Sequence, residues 1–200
     1  MTFTWASDRS LLVSCETEVY PLFRRLHAIG LEGVTDFSPA RRSVLIRFDP
    51  LKVDHFGAEC WIRRESKFAD ALEDEGRLVE VPVAYDGPDL DELAQARGLT
   101  TAEVIRIHTS ATYRAYFLGF VPGFAYLGEV PDAIAAPRRK TPRREVPAGS
   151  VRIGGTQTGV YPRSTPGGWN LIGRTESVMF DAARGASLIE PGDRVRFVAL

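Results

Sequence analysis

Residues 150–172 read SVRIGGTQTGVYPRSTPGGWNLI, short apolar runs broken by glycine and proline. Ser150 to Ile153, Gly159 to Tyr161 and Asn170 to Ile172 each have β-type composition, and turn residues separate them. Similar runs lie on either side: Tyr113 to Val121, Ser177 to Phe180, and Val195 to Val198 after a Pro191-Gly192-Asp193 turn. Several short strands with frequent turn signals predict an antiparallel barrel or sandwich for this half of the chain.

Upstream the period changes. Leu11 to Cys15 reads as a strand, and Val19, Leu22, Phe23, Leu26 and Ile29 then recur at helical spacing. Pro21 falls in the first turn, where its missing N–H costs little, and Gly30 is a natural stop. Val34 to Phe37 and Ser43 to Phe48 predict a hairpin around Ser38-Pro39. A second helix is expected from about Asp54 to Asp74, with Phe56, Trp61, Phe68 and Leu72 on its apolar side and Gly76 at its end. Leu78 to Ala84 is expected to close the sheet. The order β-α-β-β-α-β is that of a ferredoxin-like α/β sandwich. With Asp86-Gly87-Pro88 as the boundary, the expected domains are 1–85 and 86–200, an α+β chain overall. The second domain opens with two short helices. Leu90, Leu93 and Ala94 mark one, Val104, Ile105 and His108 the other, and Thr100 and Glu103 have capping-box spacing.

The chain has 200 residues, 44% hydrophobic and 26% charged, which argues for an ordinary globular protein with a sizeable core and against disorder or coiled coil. No segment is apolar enough for long enough to span a bilayer. The opening MTFTWASDRS lacks a basic region followed by an apolar one, so no secretory signal is expected. Cys15 and Cys60 form no CxxC pair, and a reducing cytoplasm is the expected compartment. The net charge of −1 makes the whole protein a poor polyanion binder, but the average hides two opposed segments. Asp54 to Glu103 holds 13 acids against 5 bases, whereas Ala136 to Thr175 holds 8 bases against 1 acid. They are either two solvated faces of opposite sign, or a device that joins the lobes or docks an anionic ligand.

Motifs exclude more than they assign. There is no Walker A loop, and His27, His55 and His108 are far apart, so neither a standard phosphate loop nor a zinc site is expected. Ser150 is not in a nucleophile elbow. Asp89 to Ile107 has helix-turn-helix spacing, yet Asp86 to Ile107 carries 5 acids against 2 bases, the wrong sign for phosphates; helix packing is expected and nucleic acid is not. The run Pro137 to Arg144 is strongly basic, either a site for an anion or a solvated loop. Phe120 to Gly128 concentrates aromatics, as a pocket wall, a partner surface or a barrel filling. Gly154 to Gly159 is an N–H cradle or a tight hairpin. Trp169 caps a pocket or closes a core, and His108 is a proton shuttle or a hydrogen-bonded core histidine.

Taken in order, GFVPGFAYLG (119–128), TPRREVPAGSVRIGGTQTGVYP (141–162), STPGGWNLIGRT (164–175) and PGDRVRFV (191–198) resemble the family of the 5-oxoprolinase B subunit. That family is also known as allophanate hydrolase subunit 1, carboxyltransferase-domain subunit 1, and the sporulation kinase inhibitor family. The likeness covers essentially the whole chain, with Gly154-Gly155-Thr156 in place of Ala-Gly-Gly as a small departure. It implies an N-terminal α+β lobe followed by a cyclophilin-like antiparallel β-barrel. It also implies a non-autonomous subunit of a hydrolase acting on carbon–nitrogen bonds. That complex uses ATP to open 5-oxoproline to glutamate. Its other members are an A subunit and a larger C subunit, the latter also called allophanate hydrolase subunit 2. The alternative is a regulatory module that inhibits a histidine kinase. On the enzyme reading the catalytic candidates are His108, Arg143 and Arg174. Phe124, Tyr126, Arg152, Gln157, Tyr161, Arg163 and Trp169 are the candidates for binding a small-molecule substrate. No metal ligand set is expected, and no membrane partner.

Overall fold

The computed structural model describes residues 1–69 and 76–200, and the chain forms two compact units, Met1–Asp74 and Glu75–Leu200. In the first unit, β1 (Thr2–Ser7), β2 (Ser10–Ser14), β3 (Val34–Pro39) and β4 (Ser43–Phe48) form an antiparallel sheet of order β1-β2-β4-β3. Helix α1 (Tyr20–Ile29) begins with Pro21 in its first turn and ends at Gly30, whose φ of +67° suits glycine. Helix α2 (His55–Ser66) is capped by Asp54, whose Oδ1 accepts the Gly57 N–H at 2.7 Å. Leu11, Val13, Val44, Ile46 and Phe48 from the sheet pack with Leu22, Leu26, Ala58, Trp61 and Ile62 from the helices. The buried stripe of α2 is Ala58, Trp61, Ile62 and Glu65, an i, i+3, i+4, i+7 set. Phe56 lies off that stripe and Phe68 lies past the last helical residue, so both rings are exposed rather than core-facing as expected. Glu65 is tolerated inside the stripe because Arg25 of α1 donates to it from Nη2 at 2.9 Å and from Nε at 3.1 Å. The expected end of this helix, with Leu72, lies outside the described residues.

The second unit holds β5 (Leu78–Val83), α3 (Leu90–Ala96), α4 (Thr101–Ser110), β6 (Thr112–Leu118), β7 (Ala125–Gly128), β8 (Arg143–Val146), β9 (Ser150–Gly154), β10 (Gln157–Val160), β11 (Thr165–Gly167), β12 (Asn170–Arg174), β13 (Phe180–Asp181), β14 (Ala186–Ser187) and β15 (Arg194–Ala199). Seven strands form one sheet of order β12-β9-β10-β7-β6-β15-β5. Its two edges meet where Ala84 and Arg174 exchange backbone hydrogen bonds of 2.9 and 2.8 Å, which nearly closes a barrel. Val79, Val81 and Val83 alternate into the barrel core beside Val195 and Phe197. This corrects the expectation for Leu78 to Ala84. The strand does not close the first sheet; it pairs parallel with β15, in register Val79 to Val195 and Val81 to Phe197. The inward valines find an aliphatic core there, and the boundary falls before this strand instead of at residue 85. Helix α4 carries the expected capping box: Thr100 Oγ1 accepts from Glu103 N–H and Glu103 Oε2 accepts from Thr100 N–H. The strands β8 and β11 pair as a separate two-stranded ribbon.

Candidate functional site

Strand β9 sends Val151 and Ile153 into the barrel core, so Arg152 between them must point to the outer face. It does not reach water. Phe124, Val146, Tyr161 and Leu171 form a second, smaller apolar layer, with Val121 and Tyr126 packed against it. The Arg152 guanidinium is fully buried among rings, its carbon 3.7 Å from the Trp169 centroid, 4.0 Å from Phe124, 5.4 Å from Tyr161 and 5.9 Å from Tyr126. Nη2 makes a long 3.4 Å contact with the Ala125 carbonyl, while Nε and Nη1 have no partner among the described residues. Burial pushes this guanidinium down to about 9, opposed by the neighbouring Tyr161 and Tyr126. Burial in turn raises the Tyr161 phenol, and the charge of Arg152 pulls it back.

Two motif glycines make this packing sterically allowed. Gly159 stands opposite Arg152 in the β9–β10 ladder, where an added Cβ would lie 2.8 Å from Nη2. At Gly154 a Cβ would lie 2.5 Å from the Trp169 ring. Gly155 and Thr156 form the turn of the same hairpin, with φ of +63° at Gly155, and the Gly155 N–H donates to the Ala136 carbonyl at 2.6 Å. The glycine-rich segment is thus a hairpin that seats a ring, not a phosphate cradle.

A cleft of about 270 Å³ opens over this layer, lined by Phe120, Phe124, Tyr126, Tyr161 and Trp169 together with Arg138, Pro142 and Pro166. Phe117 stacks behind Tyr126 with centroids 4.3 Å apart, and Phe124 meets Tyr161 edge-on at 5.5 Å. The Arg138 guanidinium sits 4.8 Å from the Trp169 ring and is the one charged group among the described lining residues. At the rim, Phe120 has φ of +69°, the single non-glycine residue with positive φ among the described residues, and its ring is exposed. Such a conformation costs of order 1–3 kcal/mol and persists only where the surroundings hold it.

The basic loop that supplies Arg138 is clamped from below. Asp89, buried at the start of α3, accepts from Arg139 Nη1 at 2.8 Å and Arg143 Nη2 at 2.6 Å through Oδ1, and from the Leu171 N–H at 2.7 Å through Oδ2. Glu92 also pairs with Arg139, and Asp86 with Arg174. Acids of residues 86–92 therefore answer bases of residues 139–174 within one unit, which gives part of the charge asymmetry a local structural use. A second cleft of about 400 Å³ lies on the outer side of the loop, lined by Glu92, Leu93, Arg138, Arg139, Lys140 and Asn170 among others.

Of the residues singled out from sequence, Phe124, Tyr126, Tyr161 and Trp169 line the cleft, and Arg152 is buried among their rings without lining it. His108 does not line it. His108 is buried beside Phe197, with Nδ1 2.7 Å from the Tyr85 hydroxyl and Nε2 2.8 Å from Thr158 Oγ1. Because Thr158 Oγ1 donates its proton to the Arg152 carbonyl, it accepts from Nε2–H, and Nδ1 accepts from Tyr85. Burial pushes the imidazole down to about 3, so it is neutral with both nitrogens committed. Through Thr158 these bonds brace β10 and β9. Arg143 is held by Asp89, and Arg174 is at the barrel seam, mostly exposed and paired with Asp86. Gln157 is half-buried at the hairpin and Arg163 is exposed; neither lines the cleft. Sequence reasoning missed Arg138 as a lining residue and Asp89 as the clamp. The signal for Asp89 was present as an acidic segment matched to a basic run of similar length.

Among the described residues no group of three His, Cys, Asp or Glu side chains could hold a metal ion, and no helix is long and apolar enough to cross a membrane. Residues 1–189 match the carboxyltransferase domain, subdomain C and D. The chain is 54% identical over 134 residues to the 5-oxoprolinase B subunit of Escherichia coli O157:H7, an alignment that covers 65% of this chain and 62% of that protein. It thus spans about three fifths of the length of the curated relatives it matches. Its fold superimposes on the crystal structure of TTHA0988 with a TM-score of 0.82 at 35% identity, covering 97% of this chain and 40% of that one. It also superimposes on a conserved uncharacterized protein, PH0987 from Pyrococcus horikoshii, with a TM-score of 0.60 at 39% identity, covering 100% and 97% of the two chains. A match over residues 1–189, nearly the full length, places this chain in the carboxyltransferase-domain subdomain C and D family, alongside the 5-oxoprolinase B subunit.

Proposed function

We propose that this chain is a non-autonomous subunit of an ATP-dependent amide or lactam hydrolase, opening 5-oxoproline to L-glutamate with an A subunit and a larger C subunit in the cytoplasm. The observation that carries the reading is the cleft itself. It is aromatic, its charged lining is cationic, and it lies in the motif segments on which the sequence resembles the 5-oxoprolinase B subunit family. We read the barrel as cyclophilin-like and the first unit as a ferredoxin-like variant whose closing strand has gone to the barrel.

Opening a lactam at neutral pH is slow because amide resonance is lost and the amine leaves poorly. ATP would supply activation of the amide carbonyl. We place the nucleotide outside the glycine-rich hairpin, whose Gly155 N–H is already paired with the Ala136 carbonyl. The part left to this chain is to hold the ring against Trp169, Tyr126 and Tyr161, to exclude water, and to offset negative charge with guanidinium groups. Each well-placed donor of that kind is worth about 3–4 kcal/mol in typical sites. We assign this part to Arg138, which lines the cleft, and to Arg152 beneath the rings, and we read Arg143 and His108 as positioning residues through Asp89 and Thr158.

The regulatory alternative would need the Phe120–Tyr126 segment as an exposed docking surface. Phe124 is buried and Tyr126 half-buried, with Phe120 alone strongly exposed, so the segment serves better as a wall. The test is ATP-dependent glutamate release from 5-oxoproline with this chain alone, with the C subunit, and with the A and C subunits together. Turnover in the full mixture only is expected. A stable complex that releases no glutamate would overturn the proposal.

A further inference from the structure

Arg152 is an unusual investment for a barrel. Removing a guanidinium from water is costly even after relaxation, and leaving N–H groups unpaired adds to that. Trp169 and Phe124 offset part of this as cation–π contacts at 3.7 and 4.0 Å. They do nothing for the edge of the group, where Nε and Nη1 remain without partners among the described residues. Nor does any described acid pair with it; phenols stand beside it, and Arg138, which acts on it, carries the same sign. A buried cation with an unfilled edge, under a cleft whose one charged group among the described lining residues is also cationic, lacks an anion.

The cleft limits which anion. Its volume of about 270 Å³ is just below the usual range for sites that enclose drug-sized ligands, enough for a one-ring acid and too small for a nucleotide. Aromatic walls favour a flat, weakly polar body. Each unpartnered nitrogen of Arg152, Nε or Nη1, shares an edge with Nη2, whose 3.4 Å contact with the Ala125 carbonyl is long, and a carboxylate fits such an edge with both oxygens.

We propose that Arg152 is the carboxylate anchor of this cleft: a small cyclic amino-acid-like acid enters with its ring against Trp169, and its carboxylate takes one of the unpartnered donors, Nε or Nη1, together with the adjacent Nη2, with Arg138 closing over the same charge. Because Arg152 is fully buried in the free chain, a ring must yield first. Tyr126, half-buried at the cleft wall 5.9 Å from the guanidinium, is the one placed to do so. The choice of acid rests on the function proposed above; the anion site does not.

Binding, not turnover, tests this. Titrating the full chain, alone and in its complex, with 5-oxoproline and with the corresponding carboxamide by calorimetry compares ligands that differ in one charged group. The acid is expected to bind about 10–100-fold more tightly, the scale of a lost charge-assisted fork. Arg152→Met should abolish that preference, and Arg138→Met should reduce it. Equal binding of acid and amide, or no binding of either, would overturn the proposal, and the wild-type comparison decides this even if Arg152→Met fails to fold. Carboxylate-dependent binding without turnover in the reconstituted mixture would keep the anchor and remove the reaction. Turnover indifferent to Arg138 and Arg152, with no acid preference in binding, would keep the reaction and remove the anchor.

Discussion

At the scale of single residues, the barrel treats its two most unusual polar groups in opposite ways. His108 has all its bonds made, while Arg152 has an open edge. For His108 this has a measurable cost at low pH. Its folded-state pKa of about 3 lies below the ordinary 6.5, so the unfolded chain binds a proton that the folded one refuses. The stability it allows is fully present above pH 6.5 and is lost as pH falls from there toward 3. At pH 5.5 the loss should be about 1.4 kcal/mol, read as a lower urea midpoint than at pH 7.5. His108→Gln should flatten that part of the profile; an unchanged pH dependence in the variant would assign the effect elsewhere. Glu65 adds a loss at lower pH, because Arg64 and Arg25 hold its carboxyl below the ordinary value of 4.5, and its contribution disappears as pH falls past that value. Gly154 tests the ring packing. An alanine Cβ would sit 2.5 Å from the Trp169 ring, so Gly154→Ala should move Trp169 off the Arg152 face and destabilise by about 1–3 kcal/mol. A fluorescence and unfolding comparison would show it, and an unperturbed variant would mean that the hairpin shifts to make room.

At the scale of elements, the clamp between α3 and the basic loop is the feature most open to test. Asp89 is nearly inaccessible and accepts from two guanidinium groups and a backbone N–H. Asp89→Ala removes three charge-assisted acceptor contacts at once and should cost about 3–5 kcal/mol, the usual result of breaking a buried ion pair. The freed loop should then be cut by trypsin at Arg138, Arg139, Lys140 or Arg144 well before the rest of the barrel; equal protection in the variant would mean that the loop is held by other contacts. The same element shows what the sequence makes legible. Alternating runs such as Ser150 to Ile153 and the capping box at Thr100 carry local signals, and both form where expected. Strand pairing carries no such signal. Leu78 to Val83 reads as a strand in any sheet, and only the barrel's demand for a seventh strand beside β15 decides its partner. Arg152 shows the limit at the site: an arginine between two inward aliphatics reads as a solvent-facing residue, and its burial depends on Tyr126 of β7, Phe124 just before it, Tyr161 just after β10 and Trp169 in the turn before β12. Phe56 fails for a simpler reason, since a large apolar side chain in a helix counts toward its core face only if it falls on the stripe, and this one does not.

At the scale of the whole molecule, the two units have separate cores. The cluster around Leu26, Ile46 and Trp61 draws only on residues up to Ala69, and those around Val81 and Ile153 and around Phe124 and Tyr161 draw only on residues from Val79 onward. The seam of the barrel is also internal to the second unit, since both Ala84 and Arg174 belong to it. A fragment of residues 76–200 thus keeps every strand of the seven-stranded sheet, its closing bridge, the Asp89 clamp and all the residues that line the cleft. At about 125 residues it exceeds the size at which a single hydrophobic core suffices without disulfide or metal. The expected outcome is that this fragment unfolds in one cooperative thermal transition and retains the near-ultraviolet dichroism of a fixed aromatic cluster. An expanded species with strand content but no fixed near-ultraviolet signal would show that barrel packing depends on the first unit. If the fragment folds and the 5-oxoproline-dependent reaction nevertheless requires the full chain in the reconstituted mixture, the first unit's contribution must be to assembly, because nothing that forms the cleft has been removed.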